Sequence, residues 1–430
     1  MTVLRRTVIA GVVAALAAPR LAAQQPPLQV TLAEAVRRAL GVQPAVVQAQ
    51  GNATTAEWQK RAAYGAFLPT VTFNSSAFRQ NASSFVNGIF ANPGYQYSTG
   101  LSAALDLFTG FRRLATYRNA DAAEDAADAG LVNQRYQVTA ATAQFFFTAL
   151  ADEELVRVAL AQVDRAKEEL QISVNKFQAG AATRSDTLTA TVDLGNARLT
   201  LLQAQATLAT AQANLARQIG EDGAVRPLPE SQLPAVPDTA GLRAAALRGA
   251  PVVAQAVAQE RAASAAVWVA RSPYWPTLTA SYTTSSQGLT APWDGFDAGN
   301  RNLNQFRVGL SWTLFNGFQR EQALAQGAAG LNLARAQTAD ARRQLNAQLT
   351  QQFAALFTGG AQIAIADANV AAATEAVRVQ QERYRLGAGT LLDLLTAQAN
   401  LTQAEVSRVQ AHYNYLIARA QLEALVGHPL

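Results

Sequence analysis

The feature that most constrains the fold is an internal repeat at one fixed offset. Short motifs in the first half of this 430-residue chain recur 207 positions later, with no slip across the half. The matched motifs are LPTV at 68–71 with WPTL at 275–278, LFTGF at 107–111 with LFNGF at 314–318, and KFQAG at 176–180 with RYRLG at 383–387. A period this long indicates two copies of one structural unit and not a solenoid of short repeats.

The repeat divides the chain into unequal parts. Arg5 and Arg6 precede an apolar stretch at 7–18, which is too short to span a bilayer and is typical of an export signal. Prolines are frequent just after the first copy, which predicts an extended connector. We therefore predict a signal peptide at 1–23, a first repeat at 24–220, a Pro-rich connector at 221–237 and a second repeat at 238–430.

Helical stretches dominate each repeat. We predict an opening helix at 31–66 and 239–272, a long helix at 111–178 and 318–385, and a return helix at 184–219 and 391–426. Pro44 and Pro251 are expected to kink or interrupt the opening helices. The long helix would extend about 100 Å. The opening and return helices together match that length, which predicts one long helix lying beside two shorter ones.

Four stretches with alternating side chains predict β-strands, at 70–78, 97–107, 277–285 and 306–314. In the last of these, every second residue from Phe306 to Leu314 is apolar, and the residues between are small or polar. Their length suits strands that cross an outer membrane. A soluble sandwich with one wet face would alternate in the same way, so the strands alone leave both interpretations open. The stretches between paired strands, 82–96 and 286–304, are predicted to be turn-rich, outward-facing loops.

Strand number then bears on assembly. After the signal peptide the chain has no run of 18 apolar residues, so a membrane-embedded part would have to be a closed barrel. Four strands per chain cannot close one, because the smallest membrane barrels have about eight. Eight-stranded barrels are filled by side chains, so an open duct requires three or more chains.

Composition excludes other classes of function. The chain has no cysteine, and its two histidines, His412 and His428, lack further ligands at metal-binding spacing. We find no phosphate-binding loop, nucleophile elbow or acid–base pair, and therefore predict no enzyme and no cofactor. The net charge falls from +5 to +2 when Arg5, Arg6 and Arg20 are removed with the signal peptide, which argues against a nucleic-acid partner.

These residues resemble the TolC-like outer-membrane efflux protein family along essentially the whole mature chain. The most specific stretch is YRLGAGTLLDLL at 384–395, followed by AHYNYL at 411–416. The resemblance implies a mainly α homotrimer with a small β part, in which a twelve-stranded β-barrel in the outer membrane of a Gram-negative-type bacterium joins a twelve-helix periplasmic α-barrel. It implies the exit duct of an efflux or type I secretion system, fed by a periplasmic adaptor (membrane fusion) protein and an inner-membrane transporter.

The resemblance also assigns roles to the helical tips. A tyrosine before the tip glycine helps to hold the closed state, and aspartates past it form a ring of negative charge; here these gate residues are Asp186, Tyr384 and Asp393. Adaptor docking would involve the two tip turns, namely Gly180, Ala181 and Arg184 in the first repeat and Gly387, Ala388, Gly389 and Thr390 in the second.

The chain departs from the family pattern at the gate. Gly389 stands where the best-known relative has an arginine, and Thr396 stands where it has a second aspartate, so this latch and second acid ring are absent. Arg184 is the basic residue near the first tip that could substitute. A plainer interpretation remains for the aspartates, because a threonine followed three residues later by an acid also predicts an ordinary helix cap. Tyr384 and the tip glycines likewise have a purely structural interpretation.

Two further classes of function remain open from the residues. A non-conducting envelope protein could use the same coiled coils, and ion conductance would distinguish it from a duct. A periplasmic adaptor could also contain long helical hairpins. Adaptors usually carry one hairpin between split halves of other domains, and cell fractionation would separate the two.

Overall fold

The computed structural model of this protein describes residues 28–79, 84–86, 89–91, 95–229, 239–289, 291, 301–428 and 430. The predicted signal peptide, the later part of the predicted connector and parts of both predicted loops lie outside these residues. Within the described part the chain is mainly helical with a small β part.

The helices and strands follow one another in the order that the repeat predicts. The helices are α1 Leu32–Val42, α2 Pro44–Gly65, α3 Arg112–Gln178, α4 Arg184–Ile219, α5 Thr239–Gly249, α6 Pro251–Arg271, α7 Gln319–Arg385 and α8 Leu391–Val426. The strands are β1 Leu28–Val30, β2 Thr70–Arg79, β3 Ser84–Val86, β4 Ile89–Ala91, β5 Tyr95–Thr109, β6 Val225–Pro227, β7 Thr277–Gly288 and β8 Arg301–Ser311.

The two long helices confirm the prediction from the sequence. α3 and α7 contain 67 residues each, α4 and α8 contain 36 each, and the members of each pair begin and end 207 positions apart. A helix of 67 residues is about 100 Å long. None of the helices in the described ranges has an 18-residue window apolar enough to cross a membrane.

The opening helix of each repeat is interrupted at its proline. Gln43 is extended, with ψ 123°, and separates α1 from α2, which begins at Pro44. Ala250 is extended in the same way before Pro251. Proline disfavours helical geometry in the residue before it and has no N–H to donate, so it suits the first position of a new helix.

The helices pack as the length argument predicted. α1 and α2 lie along α3, which α4 also contacts, and α5 and α6 lie along α7, which α8 also contacts. Fully buried side chains mark the core of each bundle, with Phe146, Leu215 and Ile219 in one and Leu345 and Leu422 in the other. Small alanines such as Ala149 and Ala197 let the helices approach closely.

A short parallel strand pair was not predicted. β1 pairs with β6, with Val30 opposite Pro227 and Leu28 opposite Val225. Val30, Val225 and Pro227 are fully buried, so the start of the predicted connector is anchored against the first helical bundle. Three-residue strands are too short to show an alternating pattern, which is why the sequence does not reveal them.

The four longer strands form one antiparallel sheet in the order β2-β5-β7-β8. The predicted strand at 306–314 is wrong at both ends, because β8 runs from Arg301 to Ser311. The strand ends early since Arg320, in the first turn of α7, donates hydrogen bonds to the carbonyls of Thr313 and Leu314 at 3.2 and 2.9 Å. Those carbonyls are thereby turned toward the helix and away from a strand partner.

β5 carries a bulge that the alternation does not reveal. The pairing with β7 shifts between Asp106 and Phe108, so Phe108 and not Leu107 lies opposite Leu278. Strict alternation along the predicted strand at 97–107 would place Leu107 on the same face as Leu101, but the extra residue of the bulge shifts Leu107 out of that register.

Candidate functional site

The far end of each long helix turns in the same way. Gly180 and Gly387 have φ of 72° and 78°, the left-handed region that glycine enters without steric cost. In each turn the N–H three residues past the helix donates back to a carbonyl of the last turn, from Ala181 to Lys176 and from Ala388 to Arg383, both at 2.8 Å. This Schellman arrangement satisfies the last helical carbonyls and reverses the chain.

The predicted docking residues lie on these two turns. Gly180, Ala181, Arg184, Gly387, Ala388 and Thr390 are exposed, and Gly389 is half-buried. A side chain at position 389 would be crowded, because an added Cβ would lie 3.1 Å from the Cβ of Arg383. Glycine at position 389 therefore avoids a close contact with Arg383 in this turn.

Both predicted aspartates form capping boxes. The carboxylate of Asp393 accepts hydrogen bonds from the backbone N–H and hydroxyl of Thr390 at 3.2 and 2.8 Å, and Asp186 does the same with Thr183 at 2.9 and 2.9 Å. The hydrogen bonds from Thr390, with a smaller contribution from Arg383, lower the pKa of Asp393. The carboxylate of Asp393 therefore stays ionised and carries its charge at the tip.

Tyr384 joins the two repeats at the tip. Its side chain is only 4% exposed and packs with Leu391, Leu394 and Ile172. Its hydroxyl lies 3.1 Å from the hydroxyl of buried Ser173 on α3. Since α3 belongs to the first repeat and α7 to the second, this contact links the two helical hairpins.

The structure adds a residue that sequence reasoning missed. The ammonium of Lys176 lies 4.0 Å from the centre of the Tyr384 ring, and it also donates to the Tyr384 carbonyl. A basic residue, Arg383, recurs at the position that matches Lys176 in the second repeat, and this recurrence was the available signal for Lys176.

Arg184 has no hydrogen bond or ion pair in the described ranges, so it does not replace the missing latch within the chain.

A buried carboxyl group lies on α3 one helical turn before Ser173. Glu169 on α3 is 2% exposed, and neither of its carboxyl oxygens has a hydrogen bond of good geometry. Burial raises its pKa to about 7, helped by the charge of Asp193 on α4 and opposed by Gln398 on α8. The nearby Arg165 is committed to Glu405, at 3.1 Å. Glu169 is thus neutral at mildly acidic pH and carries an unpaired charge at alkaline pH.

Glu169→Gln should stabilise the protein at pH 8 and not at pH 4. The raised pKa means that the folded state holds the proton through the window from 4.5 to about 7, so stability falls as pH rises through it. That shift in pKa corresponds to a loss of about 3 kcal/mol in the free energy of unfolding at alkaline pH. We expect the glutamine variant to regain about 2 kcal/mol of this loss. Thermal unfolding at both pH values measures the difference. Glu168→Gln removes an exposed neighbouring charge and should change neither value; equal gains in the two variants would contradict the assignment.

The four-stranded sheet has one apolar face and one polar face. Directly paired residues share a face, and the register places these apolar side chains together: Val71, Phe73, Ala77, Leu101, Ala103, Leu105, Leu278, Ala280, Tyr282, Phe306, Val308 and Leu310. The opposite face carries mainly small and polar residues, such as Thr72, Ser102, Thr279 and Arg307. Phe306 and Leu310 are each 71% exposed, so none of the described residues covers the apolar face at these positions. An exposed apolar face of this extent is typical of a lipid-facing surface.

The sheet and the long helices meet at two equivalent junctions. Gly110 and Phe111 both adopt left-handed φ, as do Gly317 and Phe318, which turns each strand into the following helix. Arg113 then donates to the carbonyl of Leu107 at 3.0 Å, and Arg320 donates to the matching carbonyl of Leu314. Each guanidinium also stacks on an aromatic ring, that of Phe67 or Tyr274. The repeated LFxGF motif therefore encodes a fixed strand-to-helix joint.

The helices and the sheet both end in open edges. Contacts place four helices in the row α4-α3-α8-α7, and the strands follow the row β2-β5-β7-β8. The outer helices carry large exposed apolar side chains, including Val192 at 63% on α4 and Phe357 at 78% on α7. Within the described residues, β2 and β8 each pair on one side only.

No metal centre emerges from the described part of the chain, where no group of three His, Cys, Asp or Glu residues is placed to hold an ion. His412 contacts the ring of Tyr413, at 5.0 Å between ring centres, and burial lowers its pKa. That environment is typical of a packed histidine.

Comparison with known proteins gives a consistent result. A model of the outer membrane efflux protein family matches residues 29–221 and 242–428, which is nearly all of the described chain. The pyoverdine export outer membrane protein OpmQ of Pseudomonas aeruginosa is 29% identical over 344 residues, covering 77% of this chain and 68% of that protein. The alkaline protease secretion protein AprF of the same species is 24% identical, covering 77% and 69%.

Solved structures share the fold. The outer membrane protein VceC from Vibrio cholerae superimposes with a TM-score of 0.80, covering 93% of this chain and 96% of that one. Its sequence is 18% identical, so the likeness concerns the fold alone. The same long helical hairpins and short strands are thus found in an outer-membrane protein of distant sequence.

Proposed function

Because the chain belongs to the outer membrane efflux protein family, we propose that three copies close into one passive exit duct. The protein is an outer-membrane channel of the efflux and secretion type, with a large periplasmic helical part. The finer proposal is a homotrimer with twelve strands in the membrane and twelve helices below them. The single observation that carries it is the pair of open edges, on the sheet and on the helices.

The internal repeat supports how these edges would meet. α3 packs on α8 inside the chain, and the positions 207 residues away are α7 and α4, the two outer helices. β5 pairs with β7, and the matching strands are β8 and β2, the two outer strands. The same contacts made between chains would therefore join α7 to α4 and β8 to β2 of the next copy. Such head-to-tail contacts generate a closed ring when the rotation closes.

Closure satisfies the physical demands of a membrane. An open strand edge in lipid leaves unpaired N–H and C=O groups, each costing several kcal/mol. Four strands per chain and three chains give a barrel wide enough to be open, whereas two chains give one filled by side chains. We further propose that the domains divide at 1–23, 24–220, 221–237 and 238–430.

The helical tips are the proposed gate and docking site. Asp186 and Asp393 from three chains would place six carboxylates at the aperture, and Tyr384 would hold neighbouring hairpins together there. The exposed turns at Gly180 and Gly387 would contact a periplasmic adaptor that links the duct to an inner-membrane transporter. The duct itself needs no cofactor and performs no chemistry in this proposal.

Single-channel recording in a planar bilayer tests the proposal. We expect the purified oligomer to show a small conductance that prefers cations, and Asp186→Asn with Asp393→Asn to lower that preference. Asparagine keeps an oxygen that can cap the helix, so the change isolates the charge. Asp340→Asn removes an exposed acid in the middle of α7 and should leave selectivity unchanged.

The recordings also distinguish a conducting duct from a non-conducting envelope protein. Inserted oligomers that conduct nothing, even after the tip is loosened by Tyr384→Phe, would favour a structural envelope protein. Conductance with selectivity unaffected by the double variant would keep the duct and remove the aspartates from the ion path.

A further inference from the structure

A cavity of about 360 Å³ lies at the first strand-to-helix junction, between the start of α3 and the end of α6. Its apolar wall consists of large, exposed side chains, with Phe111 at 59%, Trp268 at 59% and Trp275 at 54%. Two arginines, Arg118 and Arg271, line the same cavity. The cavity therefore combines aromatic and cationic groups.

The cavity is continuous with the apolar face of the sheet. Phe108, which lies opposite Leu278 on that face, contacts Phe111 edge-to-face with ring centres 5.3 Å apart. Phe111 in turn contacts Trp275 at 6.0 Å. An acyl chain lying on the apolar face could therefore extend along these rings into the cavity without leaving an apolar surface.

The two arginines supply unmatched positive charge. Neither Arg118 nor Arg271 has an ion pair or hydrogen bond in the described ranges, and Arg271 lies 4.9 Å above the ring of Trp268. The first turn of α3 has no acidic residue. The internal repeat does not require this charge, because the matching positions are Ala325 and Tyr64. The cation pair is thus specific to this junction.

We propose that this cavity binds one anionic phospholipid of the periplasmic leaflet per chain. The lipid phosphate would lie between the guanidinium groups of Arg118 and Arg271, and one acyl chain would lie along Phe111 and Trp275. Arginine suits this role, because its planar fork binds phosphate oxygens and remains charged. The proposal rests on the membrane placement of the sheet proposed above. It adds the identity of a ligand that the junction recognises.

Native mass spectrometry of the delipidated oligomer in detergent tests it. We expect added phosphatidylglycerol to be retained at one molecule per chain, and phosphatidylcholine with the same acyl chains to be retained at least tenfold less. Arg118→Gln with Arg271→Gln should abolish this difference. Arg61→Gln is the matched control, since Arg61 also lies over a tryptophan, Trp58, but is ion-paired with Glu57.

Three further measurements distinguish a lipid site from a general anion site and from failure of the duct. Soluble glycerophosphate should not displace the lipid; if it does, the site is a general anion site and the lipid proposal is wrong. Equal retention of both lipids by the wild-type protein would also overturn it, without relying on any variant. Conductance of the same preparation separates this failure from failure of the duct, because a conducting oligomer without lipid preference refutes only the lipid site.

Discussion

Gly110→Ala should lower the free energy of unfolding by about 3 kcal/mol and sharply reduce the yield of folded protein. An added Cβ would lie 2.5 Å from the carbonyl oxygen of Ser272 and 2.7 Å from the Cβ of Trp275, neither of which can rotate away. Overpacking of this kind costs about 1–3 kcal/mol. The left-handed φ of 61° adds about 1 kcal/mol for alanine. Denaturant unfolding of the detergent-solubilised protein measures the change.

The internal repeat provides the matched control. Gly317 has φ of 66°, but no described residue lies within 4 Å of an added Cβ, so Gly317→Ala should lower the free energy of unfolding of the chain by only about 1 kcal/mol. In the proposed ring, the positions matching Ser272 and Trp275 are Gly65 and Leu68 of the neighbouring chain. Gly317→Ala should therefore weaken assembly more than folding. Equal effects of the two variants on the unfolding of the separated chain would contradict the junction geometry.

Tyr384→Phe should raise the open probability of the duct by at least about 100-fold. The change removes the buried hydrogen bond to Ser173, and leaving a buried hydroxyl without this partner costs about 1–3 kcal/mol. Three tips that open together would add three such costs, and every 1.4 kcal/mol is a factor of ten. Single-channel recording measures the open probability directly.

Ser173→Ala in the same chain tests whether the hydrogen bond is responsible. When both partners lose their hydroxyls, no polar group is left unpaired, so the double variant should return toward wild-type behaviour. Lys176 still contacts the ring in both variants. If Tyr384→Phe alone behaves like the wild-type protein, the hydroxyl contact does not hold the closed state, and packing accounts for the burial of Tyr384.

Much of the fold could be predicted because its determinants are local and repeated. The boundaries of α3 and α4 follow from the absence of proline, the tip glycine and the Thr183–Asp186 capping box, and the second repeat shows each of them again. The interruption at Pro44 follows from proline geometry. These features need only a few neighbouring residues, so one sequence is enough to find them.

The features of the fold and the site that could not be predicted from the sequence depend on contacts between distant segments. The early end of β8 is set by Arg320 reaching back to Thr313 and Leu314, which alternation cannot show. The environment of Tyr384 is set by Lys176 and Ser173, more than 200 residues away. Glu169 appears as an ordinary helical glutamate in the sequence, and its burial follows only when α3, α4 and α8 pack together.

The central claim is that β8 of one chain pairs with β2 of the next, and disulfide cross-linking tests it most directly. Ser102 lies opposite Thr283 inside the chain, so the repeat places Gly309 opposite Ser76 of the neighbouring copy. The natural chain has no cysteine, so no native thiol competes with the two introduced by Ser76→Cys and Gly309→Cys. Facing residues in an antiparallel pair have Cα atoms about 4.5–5.5 Å apart, within disulfide reach.

Oxidation should convert this double variant into a covalent species of three chains on denaturing gels. Thr72→Cys with Gly309→Cys is the control, because Thr72 lies on the same face but about 13 Å along the strand from Ser76. A ladder that stops at three chains for the first pair, and monomers for the control, is the predicted result. Monomers for the first pair, or equal cross-linking of both, would contradict the proposed closure of the sheet.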